Sequence, residues 1–386
     1  MNCSQHIKIL YVATVVKTHI MEFHLPYLKM LKDMGWETVV AARNDYENPA
    51  DCVIPYCDVY YDVPFERNPI KPWNRKAYKQ LKKIIDEGQF DIIHCHTPVG
   101  AMLTRLAAKE ARKKGSKVIY TAHGFHFYKG APIKNWITYY PVEKWLAKKT
   151  DVLITINKED YARAKKKLKT PRIEYVPGVG IDISKFACET CEVSCKREEL
   201  GLNVSDFVVL SIGELIKRKN HKVVIEAFAE LKKRGRIEGV QYLICGSGML
   251  SDELRLLAEK LGVSEHVHFL GYRNDISAIC RCCDVFAFMS YQEGLPVALM
   301  EALTCGMPII CSKIRGNTDL IKDKENGLFT ENSPVAVAER ILDFMDNPVS
   351  GSDCSADSQR NIEYLKAFDI NRTLQLVQKI YRETIE

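Results

Sequence analysis

Two carboxylates lie eight residues apart in the stretch 290–321, across a predicted junction between a loop and a helix. Glu293 lies on the polar loop that follows an apolar strand. Pro296 occupies a position typical of a first helical residue, and Gly306 is typical of a helix end. Glu301 is therefore predicted inside the helix, about 7.5 Å along the axis from Pro296. The two carboxylates can bind different hydroxyl groups of one extended ligand.

Backbone N–H groups complete this predicted ligand site. Those of Gly294 and Leu295 lie beside the start of the predicted helix, where the partial positive charge of a helix N-terminus favours an anion. A nucleotide sugar is a ligand of this kind, because it has hydroxyl groups at both ends and phosphate between them. The sequence therefore predicts a nucleotide-sugar site in the C-terminal half of the chain.

A basic loop follows an earlier strand of the same half. The segment SIGELIKRKNH places Gly213 after the strand and Arg218 and Lys219 at the end of the loop. Cations there can bind a diphosphate and neutralise a leaving group as its bond breaks. The alternative is a solvated, lysine-rich turn. In CGSGML, Gly246 and Gly248 allow backbone to approach phosphate or ribose, although an ordinary strand-to-helix turn explains them nearly as well.

Histidines follow two strands of the N-terminal half. His123 ends the strand in YTAHGFHFYKG and is the candidate to contact a donor sugar or to orient an acceptor hydroxyl, because the pKa range of histidine suits proton transfer. A structural histidine is the alternative. His94 and His96 lie one strand earlier and are expected to line or support the site.

The elements that position these residues are short apolar runs separated by helical stretches. The runs are IKILYVAT, ETVVAAR, DIIHCH, KVIYTAHG, DVLITIN, IEYVPG, VVLSIGE, VQYLICGSG, VHFLGY, DVFAFMS and PIICSK. Such alternation predicts an α/β fold with parallel sheets, and the series restarts after VPGVGID. We predict two doubly wound Rossmann-like domains with a cleft between them, at 1–177 and 178–370, and a C-terminal helix at 371–386 that packs back on the first domain.

These motifs resemble the donor site of the retaining glycosyltransferases of family 4, which have the GT-B fold. In the family pattern G-R-L-x3-K-G, Lys219 falls on the lysine. Glu214 replaces the arginine and Asn220 replaces the second glycine. The resemblance covers nearly the whole chain, and its most specific motifs lie in 211–321. Arg218 is expected to supply the charge of the missing arginine.

The resemblance also implies roles for single residues. FLGYRND resembles the family segment that reads the nucleobase, and a histidine at the place of His123 lies near the transferred sugar. The residues assigned to catalysis are His123, Glu293, Arg218 and Lys219. Those assigned to the donor are Gly213, Gly246, Gly248, Tyr272, Arg273, Gly294, Leu295 and Glu301. Those assigned to the acceptor side are Thr18, His19, His96, Phe125 and His126.

The implied activity is transfer of a hexose or N-acetylhexosamine from a nucleotide sugar, expected to be a UDP-sugar, with retention of configuration. No Asp-x-Asp motif is present, so neither a metal nor another cofactor is expected, and Arg218 and Lys219 take the place of a metal. No covalent nucleophile is identified, which favours front-face transfer assisted by the leaving diphosphate. The N-terminal segments further resemble bacterial enzymes of capsular or extracellular polysaccharide synthesis, which implies a polyprenyl-diphosphate-linked saccharide as acceptor.

Charge is divided unevenly along the chain. Residues 1–180 contain 30 Lys and Arg against 18 Asp and Glu, a net charge of +12, and residues 181–386 carry −6. Nucleic acid and an anionic membrane surface both fit a basic half. Residues 131–149 interleave aromatic side chains with lysines, typical of a helix in a membrane interface; a buried helix with solvated lysines is the alternative. We expect the membrane and no nucleic acid as partner.

The expected location is the cytoplasm, with peripheral association at the inner face of the cell membrane. The first residues do not have the organisation of a signal peptide, and no apolar run reaches the roughly 20 residues that span a bilayer. The 14 cysteines are expected to be reduced. Their two clusters, at 188–195 and 280–283, lack the second ligand pair of a zinc site.

Two other classes of protein remain open. A nucleotide-sugar epimerase of the same architecture needs no acceptor and releases an altered UDP-sugar. A non-catalytic nucleotide-sugar-binding partner of another transferase binds UDP without turnover, and Glu214 at the arginine position motivates this alternative. A Rossmann dehydrogenase is disfavoured, because no G-x-G-x-x-G follows the first strand.

Overall fold

The structure is a computed structural model that describes residues 6–69, 71–186, 193–347 and 359–386, without the side chains of 193–195. It divides into two compact units. The first comprises residues 1–180 and 371–386, and the second comprises residues 181–370. The chain passes from the first unit to the second after residue 180, a few residues beyond the predicted boundary at 177. Residues 371–386 belong to the first unit.

The first unit is built on a parallel sheet of seven strands in the order β3-β2-β1-β4-β5-β6-β7. The strands are β1 Lys8–Val15, β2 Glu37–Arg43, β3 Val59–Asp62, β4 Ile92–Cys95, β5 Lys117–Ala122, β6 Val152–Thr155 and β7 Arg172–Tyr175. The helices are α1 Leu25–Asp33, α2 Trp73–Gly88, α3 Pro98–Ala107, α4 Lys109–Lys113, α5 Ile133–Ala147 and α6 Lys158–Lys167, with a π-helical turn at Val16–Met21 and a 3-10 turn at Pro49–Asp51. Because the strand order reverses between β1 and β4, the carboxyl ends of these strands form the usual ligand-binding edge of such a sheet.

The second unit repeats this arrangement with six parallel strands in the order β10-β9-β8-β11-β12-β13. The strands are β8 Phe207–Ile212, β9 Val240–Cys245, β10 Val267–Gly271, β11 Val285–Phe288, β12 Ile309–Ser312 and β13 Leu328–Thr330. The helices are α7 Val193–Glu199, α8 His221–Lys233, α9 Ser251–Lys260, α10 Ile276–Arg281, α11 Val297–Thr304, α12 Asn317–Leu320 and α13 Pro334–Asp346, and residues 359–365 are also helical. Short 3-10 turns lie at Ile183–Lys185, Lys217–Lys219, Ser264–His266 and Lys366–Phe368. The chain ends in α14, Ile370–Ile385.

The central strands are mostly apolar because helices cover both faces of each sheet. In β4 and β11 every residue is buried. The predicted apolar runs correspond to strands in the structure, but two edge strands, β3 and β13, were not predicted. Both are short and none of their residues is fully buried, so neither forms the longer apolar run that marks a buried strand.

A buried tyrosine of the C-terminal helix α14 contacts the first sheet. The hydroxyl of Tyr381 lies 2.7 Å from that of Tyr11 on β1 and 2.6 Å from Nδ1 of His94 on β4. Nε2 of His94 lies 2.8 Å from the hydroxyl of Thr121 on β5. This hydrogen-bonded chain ties the last helix to three neighbouring strands and fixes the orientation of His94.

Helix α5 is attached to the first unit on one side and exposed on the other. Its Glu143 forms a bidentate ion pair with Arg105 of α3, at 2.5 and 3.2 Å, and that guanidinium is 1% exposed. Among its residues only Leu146 and Ala147 are buried. Large apolar side chains on this helix face solvent, namely Ile133, Ile137, Tyr139, Val142 and Trp145. In the part of the chain that the structure describes, no helix combines the length and apolar character needed to cross a bilayer.

Candidate active site

Two cations and one carboxylate meet in the second unit. Lys219 Nζ lies 2.8 Å from Glu293 Oε1, and Arg218 Nη1 lies 2.8 Å from Glu293 Oε2. Arg218 Nη1 also donates to the carbonyl of Gln292 at 2.9 Å. Lys219 and Arg218 close the turn after β8, and Glu293 lies on the loop after β11; because β8 and β11 pair, the two loops are neighbours. Three residues that the sequence assigned to catalysis are thus joined in one ion-pair cluster.

The charges in this cluster explain the protonation state of Glu293. Its side chain is 8% exposed, and burial acts to raise the pKa of its carboxyl. The adjacent Lys219 and Arg218 cations outweigh burial, so the pKa of Glu293 lies below its usual value. The carboxylate is ionised at neutral pH, and the cluster keeps a net positive charge that suits a diphosphate.

Asn220 adopts the conformation for which the family pattern has a glycine. Its φ of 55° and ψ of 39° lie in the left-handed region, which asparagine tolerates better than other side chains. Its Nδ2 donates to the carbonyl of Met289 at 3.2 Å and to Oδ1 of Asn332 at 3.1 Å. The replacement of glycine by asparagine therefore preserves the turn that carries Lys219, while Glu214, at the arginine position, is exposed.

Two residues that the sequence analysis did not single out support the Glu293 loop. Arg315 is 5% exposed and its Nε donates to the carbonyl of Glu293 at 3.0 Å. Gly316 has a φ of 83°, and a Cβ on it would lie 2.4 Å from the carbonyl oxygen of Gly294. Glycine is required there by both conformation and space. The segment KIRGN carried a weak signal of this kind, a glycine in a turn before a short helix.

Glu301 lies in the interior of α11, as predicted, but Pro296 is the residue before the helix and not its first residue. The carbonyl at Pro296 accepts from Met300 N at 3.4 Å. Burial raises the pKa of Glu301 to about 7, and the described residues include no cation paired with it. A buried carboxyl of this kind can form hydrogen bonds with a neutral hydroxylated group. Without such a ligand, its burial lowers the stability of the folded chain.

In the first unit, histidines gather where β1, β4 and β5 end. One ring nitrogen from each of His19, His24, His96 and His123 lies within 4.8 Å of the other three. Burial lowers the pKa of His123 to about 4 and that of His19 to about 3, and it lowers the pKa of His24 and His96 well below the usual value. All four imidazoles are therefore neutral at pH 7, and each ring keeps a lone pair.

Comparison with known proteins identifies the family. Residues 194–363 match the family described as glycosyl transferases group 1, and residues 8–157 match the one described as glycosyl transferase 4-like. The "Putative glycosyltransferase EpsD" of Bacillus subtilis (strain 168) is 42% identical over 378 residues, which cover 97% of this chain and 96% of that protein. The chain belongs to the group 1 glycosyltransferases.

Two further comparisons cover most of this glycosyltransferase. The UDP-Gal:alpha-D-GlcNAc-diphosphoundecaprenol alpha-1,3-galactosyltransferase of Escherichia coli is 29% identical over 317 residues, 80% of each chain. The crystal structure of Anabaena HepE in complex with UDP and glucose superposes with a TM-score of 0.79 and 20% identity, and covers 98% of this chain and 100% of that one. The predicted GT-B fold, with two Rossmann-like domains, is confirmed.

The glycines assigned to the donor contact other backbone in this glycosyltransferase. A Cβ on Gly246 would lie 2.0 Å from the carbonyl oxygen of Gly213, and one on Gly248 would lie 2.6 Å from that of Leu215. The loops after β8 and β9 thus pack against each other, and Leu215 N donates to Ser247 O at 2.9 Å. Packing of the two loops is sufficient reason for glycine at 246 and 248, and a donor contact by them stays a prediction.

Tyr272 and Arg273, assigned to the nucleobase, follow β10 and lie outside the ion-pair cluster. Arg273 donates to both carboxylate oxygens of Asp275, at 2.8 and 2.6 Å, and to Glu199 at 3.0 Å. Tyr272 is 67% exposed. The guanidinium of Arg273 therefore has a structural role in an ion-pair network, and its role in donor binding stays a prediction.

The acceptor-side residues of the first unit occupy different environments. Thr18 is exposed, and its hydroxyl donates to Asp45 at 2.9 Å. The His126 ring stacks on exposed Tyr139 of α5, with ring centroids 4.5 Å apart. Phe125 is 3% exposed and stacks on Phe127 inside the core. The Phe125 ring is thus part of the core, and its assignment to the acceptor side stays a prediction.

The cysteines whose side chains the structure describes form no disulfide with one another. Cys280 and Cys282 are buried and Cys283 is half-buried. In the other cluster, Cys188 and Cys191 lie outside the described residues, as does the side chain of Cys195.

Proposed function

We propose that this glycosyltransferase moves a hexosyl or N-acetylhexosaminyl group from a UDP-sugar to a polyprenyl-diphosphate-linked saccharide during synthesis of a cell-surface polysaccharide. The observation that carries the proposal is the cluster of Arg218, Lys219 and Glu293 at the ends of β8 and β11. It offers two fixed cations to a diphosphate. The name of the Escherichia coli relative, which has a UDP-sugar donor and a diphosphoundecaprenol-linked acceptor, supports the choice of both substrates.

The cations would act on the leaving group. Charge develops on the diphosphate as the glycosidic bond of the donor breaks, and positive groups held in place beforehand stabilise that charge without reorganising. Glu293 holds both cations at 2.8 Å, so they are already positioned before the donor binds. This arrangement needs no metal at the diphosphate.

Retention is proposed to occur by front-face transfer. Each oxygen of Glu293 is engaged by a cation, which makes this carboxylate a poor nucleophile. Glu301 is assigned to the donor hydroxyls, and it lies inside a helix. His123 is neutral at pH 7 because burial lowers its pKa to about 4, so it would contact the sugar as a hydrogen-bonding imidazole and not as a cation.

The acceptor is proposed to reach the first unit from an anionic membrane surface. Helix α5 exposes Ile133, Ile137 and Trp145 beside lysines, with 77%, 70% and 51% of these apolar side chains accessible. Lys149 Nζ lies 5.1 Å from the ring centre of Trp145. An aromatic and cationic surface of this kind suits the headgroup region of a bilayer, where a polyprenyl-linked saccharide resides.

Thermal shift with UDP, GDP, ADP and a panel of nucleotide sugars tests the donor. A ligand at about 100 times its dissociation constant adds about 2.7 kcal/mol to the folded state. We expect selective stabilisation by UDP compounds that is weakened in Lys219→Ala and Glu301→Ala. Lys217→Ala, an exposed residue of the same turn, serves as the matched control. No response to any nucleotide would overturn the donor assignment.

Incubation with the stabilising UDP-sugar then separates the alternatives. Transfer to a synthetic polyprenyl-diphosphate saccharide, with an α or β linkage that matches the donor, is the expected result. An altered UDP-sugar formed without acceptor would identify an epimerase. Binding without any product in the presence of acceptor would identify a non-catalytic partner.

A further inference from the structure

Four histidines of the first unit converge from three separate connections. His19 lies in the π-helical turn after β1, and His24 is the residue before α1. His96 follows β4 and His123 follows β5. The strand order brings these three connections to one edge of the sheet, where β4 lies between β1 and β5. The convergence is thus a product of the topology and not of a local sequence motif.

The spacing of the ring nitrogens suits one bound ion. Nε2 of His19 and Nε2 of His24 are 3.2 Å apart, and Nδ1 of His96 and Nε2 of His123 are 3.2 Å apart. One nitrogen of each ring lies within 4.8 Å of the others. A tetrahedral ion with bonds of about 2.0–2.1 Å to imidazole separates its ligand atoms by about 3.3–3.4 Å. Small rotations of the rings would therefore complete a tetrahedron.

Two ring nitrogens in this cluster also lack partners. His24 and His96 are each 2% exposed, and neither His24 Nδ1 nor His96 Nε2 has a hydrogen-bond partner among the described residues. Buried polar atoms without a partner are uncommon in folded proteins and call for an explanation. An ion would satisfy these two atoms only by binding them directly, whereas ligation through His24 Nε2 and His96 Nδ1, the nitrogens nearest to the neighbouring rings, leaves them as unpaired N–H groups.

The backbone beside His96 is held in an unfavourable conformation. Thr97 has a φ of 61° and a ψ of 146°, which costs about 1–3 kcal/mol for a residue other than glycine. Its hydroxyl lies 2.6 Å from that of Thr14 on β1. Backbone strain of this kind is concentrated at functional sites, and here it fixes the direction in which the chain leaves β4 next to the cluster.

We propose that His19, His24, His96 and His123 form a binding site for one first-row transition-metal ion of the Zn²⁺ class. The ligand set consists of imidazoles, which suit Zn²⁺, Co²⁺, Ni²⁺ and Cu²⁺, and includes no oxygen ligand of the kind that Mg²⁺ prefers. The expectation of no metal came from the missing Asp-x-Asp motif, which concerns oxygen-liganded ions at a diphosphate. This site belongs to the first unit, whereas Arg218 and Lys219 belong to the second.

The ion would connect the turn after β1 with the ends of β4 and β5. His19 and His123 are half-buried while His24 and His96 are buried, so the site has a solvent-facing side through which an ion can enter. Bound metal would occupy the lone pair of His123. The inference does not depend on the proposed transfer reaction.

Cobalt titration of the tag-free, chelator-treated full chain, without nucleotide, tests the site. We expect one equivalent of Co²⁺ to bind with the intense visible bands of tetrahedral coordination, and Zn²⁺ to displace it. His19→Ala and His123→Ala, at half-buried positions, should each weaken binding by at least about 100-fold, because even loss of an outer partner costs 10–100-fold. His126→Ala, outside the four, is the control and should bind as the parent chain does.

Far-UV circular dichroism identifies the ligand variants that remain folded, and their Co²⁺ binding is the one compared with that of the parent chain. Failure of the folded parent chain to bind Co²⁺ or Zn²⁺ would overturn the proposal, and the cluster would then be a network of N–H···N hydrogen bonds. Binding that His19→Ala and His123→Ala both retain would also overturn it, as would a weak octahedral spectrum.

Discussion

Asn220 illustrates at the residue scale how a changed side chain can keep a turn. Its left-handed backbone is one that glycine adopts without cost, and asparagine offsets part of the cost by bonding to Met289 and Asn332. The family pattern predicted the place of Lys219 at the end of the loop after β8, but it did not predict the partner of Arg218. That partner is Glu293, 75 residues later in the sequence, and only the pairing of β8 with β11 brings the two together.

Gly316→Ala is expected to abolish donor stabilisation. The new Cβ would lie 2.4 Å from the carbonyl oxygen of Gly294 at a φ of 83°, so the loop that carries Glu293 must shift. Gly235→Ala is the matched control: its φ is 67° but no atom lies within 4 Å of the Cβ position. It should cost about 1–2 kcal/mol of backbone strain and leave the thermal response to UDP intact. Equal UDP responses in both variants would contradict the role of Gly316.

Glu301→Gln is expected to stabilise the ligand-free chain in a pH-dependent way. Burial raises the pKa of Glu301 from 4.5 to about 7; the native carboxyl therefore resists ionisation, and stability falls as pH rises through this window. The glutamine variant avoids a cost of about 3 kcal/mol above pH 7 and gains nothing below pH 4.5. Urea midpoints at pH 5 and pH 8 measure the difference, with exposed Glu253→Gln as control. A gain that is the same at both pH values would refute this explanation.

Helix α5 shows at the element scale why a sequence pattern allowed two interpretations. The interleaved aromatic residues and lysines fitted either an interfacial helix or a buried one. In the structure Trp136 and Tyr140 pack partly against the core, whereas Ile133, Ile137 and Trp145 face solvent. Which side each residue faces depends on how the helix is attached, and the Arg105 ion pair that attaches it was not predicted.

Glu143→Ala is expected to destabilise the first unit by about 3–5 kcal/mol. It leaves the buried guanidinium of Arg105 without its anion, which costs more than the pair itself contributes. Glu110→Ala removes an exposed ion pair to Lys113 and should change stability by about 1 kcal/mol or less. Chemical denaturation followed by tryptophan fluorescence measures both, because all four tryptophans lie in the first unit. The double variant Arg105→Met/Glu143→Leu should recover most of the loss, and equal effects of the two alanine variants would contradict this account.

Two edge strands show which elements the apolar pattern of the sequence does not predict. Apolar runs predicted the central strands because helices cover both faces of each sheet. Strands β3 and β13 lie at sheet edges, and none of their residues is fully buried. Their strand conformation depends on hydrogen bonds to β2 and β12, which leave no pattern in their own sequence.

At the scale of the whole molecule, charge follows the division into two units. Residues 1–180 carry a net charge of +12 and residues 181–386 carry −6, and the longer of the two segments that form the first unit is residues 1–180. A basic unit with an exposed apolar helix combines the two attractions that hold peripheral proteins on anionic membranes. Membrane binding of this kind would bring the enzyme to the proposed polyprenyl-linked acceptor.

The full chain is expected to sediment with anionic vesicles at low salt and to dissociate as salt increases, because screening shortens the range of its charges. Ile133→Ser/Ile137→Ser should weaken this binding. The control is Val204→Ser/Leu256→Ser, which removes two equally exposed apolar residues from the second unit. Binding that neutral vesicles match, or that both pairs reduce equally, would refute a role for α5.

The sequence by itself determined the alternation of strands and helices, the restart that produces two domains, and the loops that carry the motifs assigned to the donor, because hydrophobic period and turn residues are local properties. It placed Glu293, Lys219 and Glu301 on the correct elements. Tertiary structure decided which of these residues touch, because partners such as Glu293 and Arg218, or His19 and His123, are joined only by strand order. It also decided burial, which places the Phe125 ring in the core and sets the protonation of Glu301 and of the four histidines.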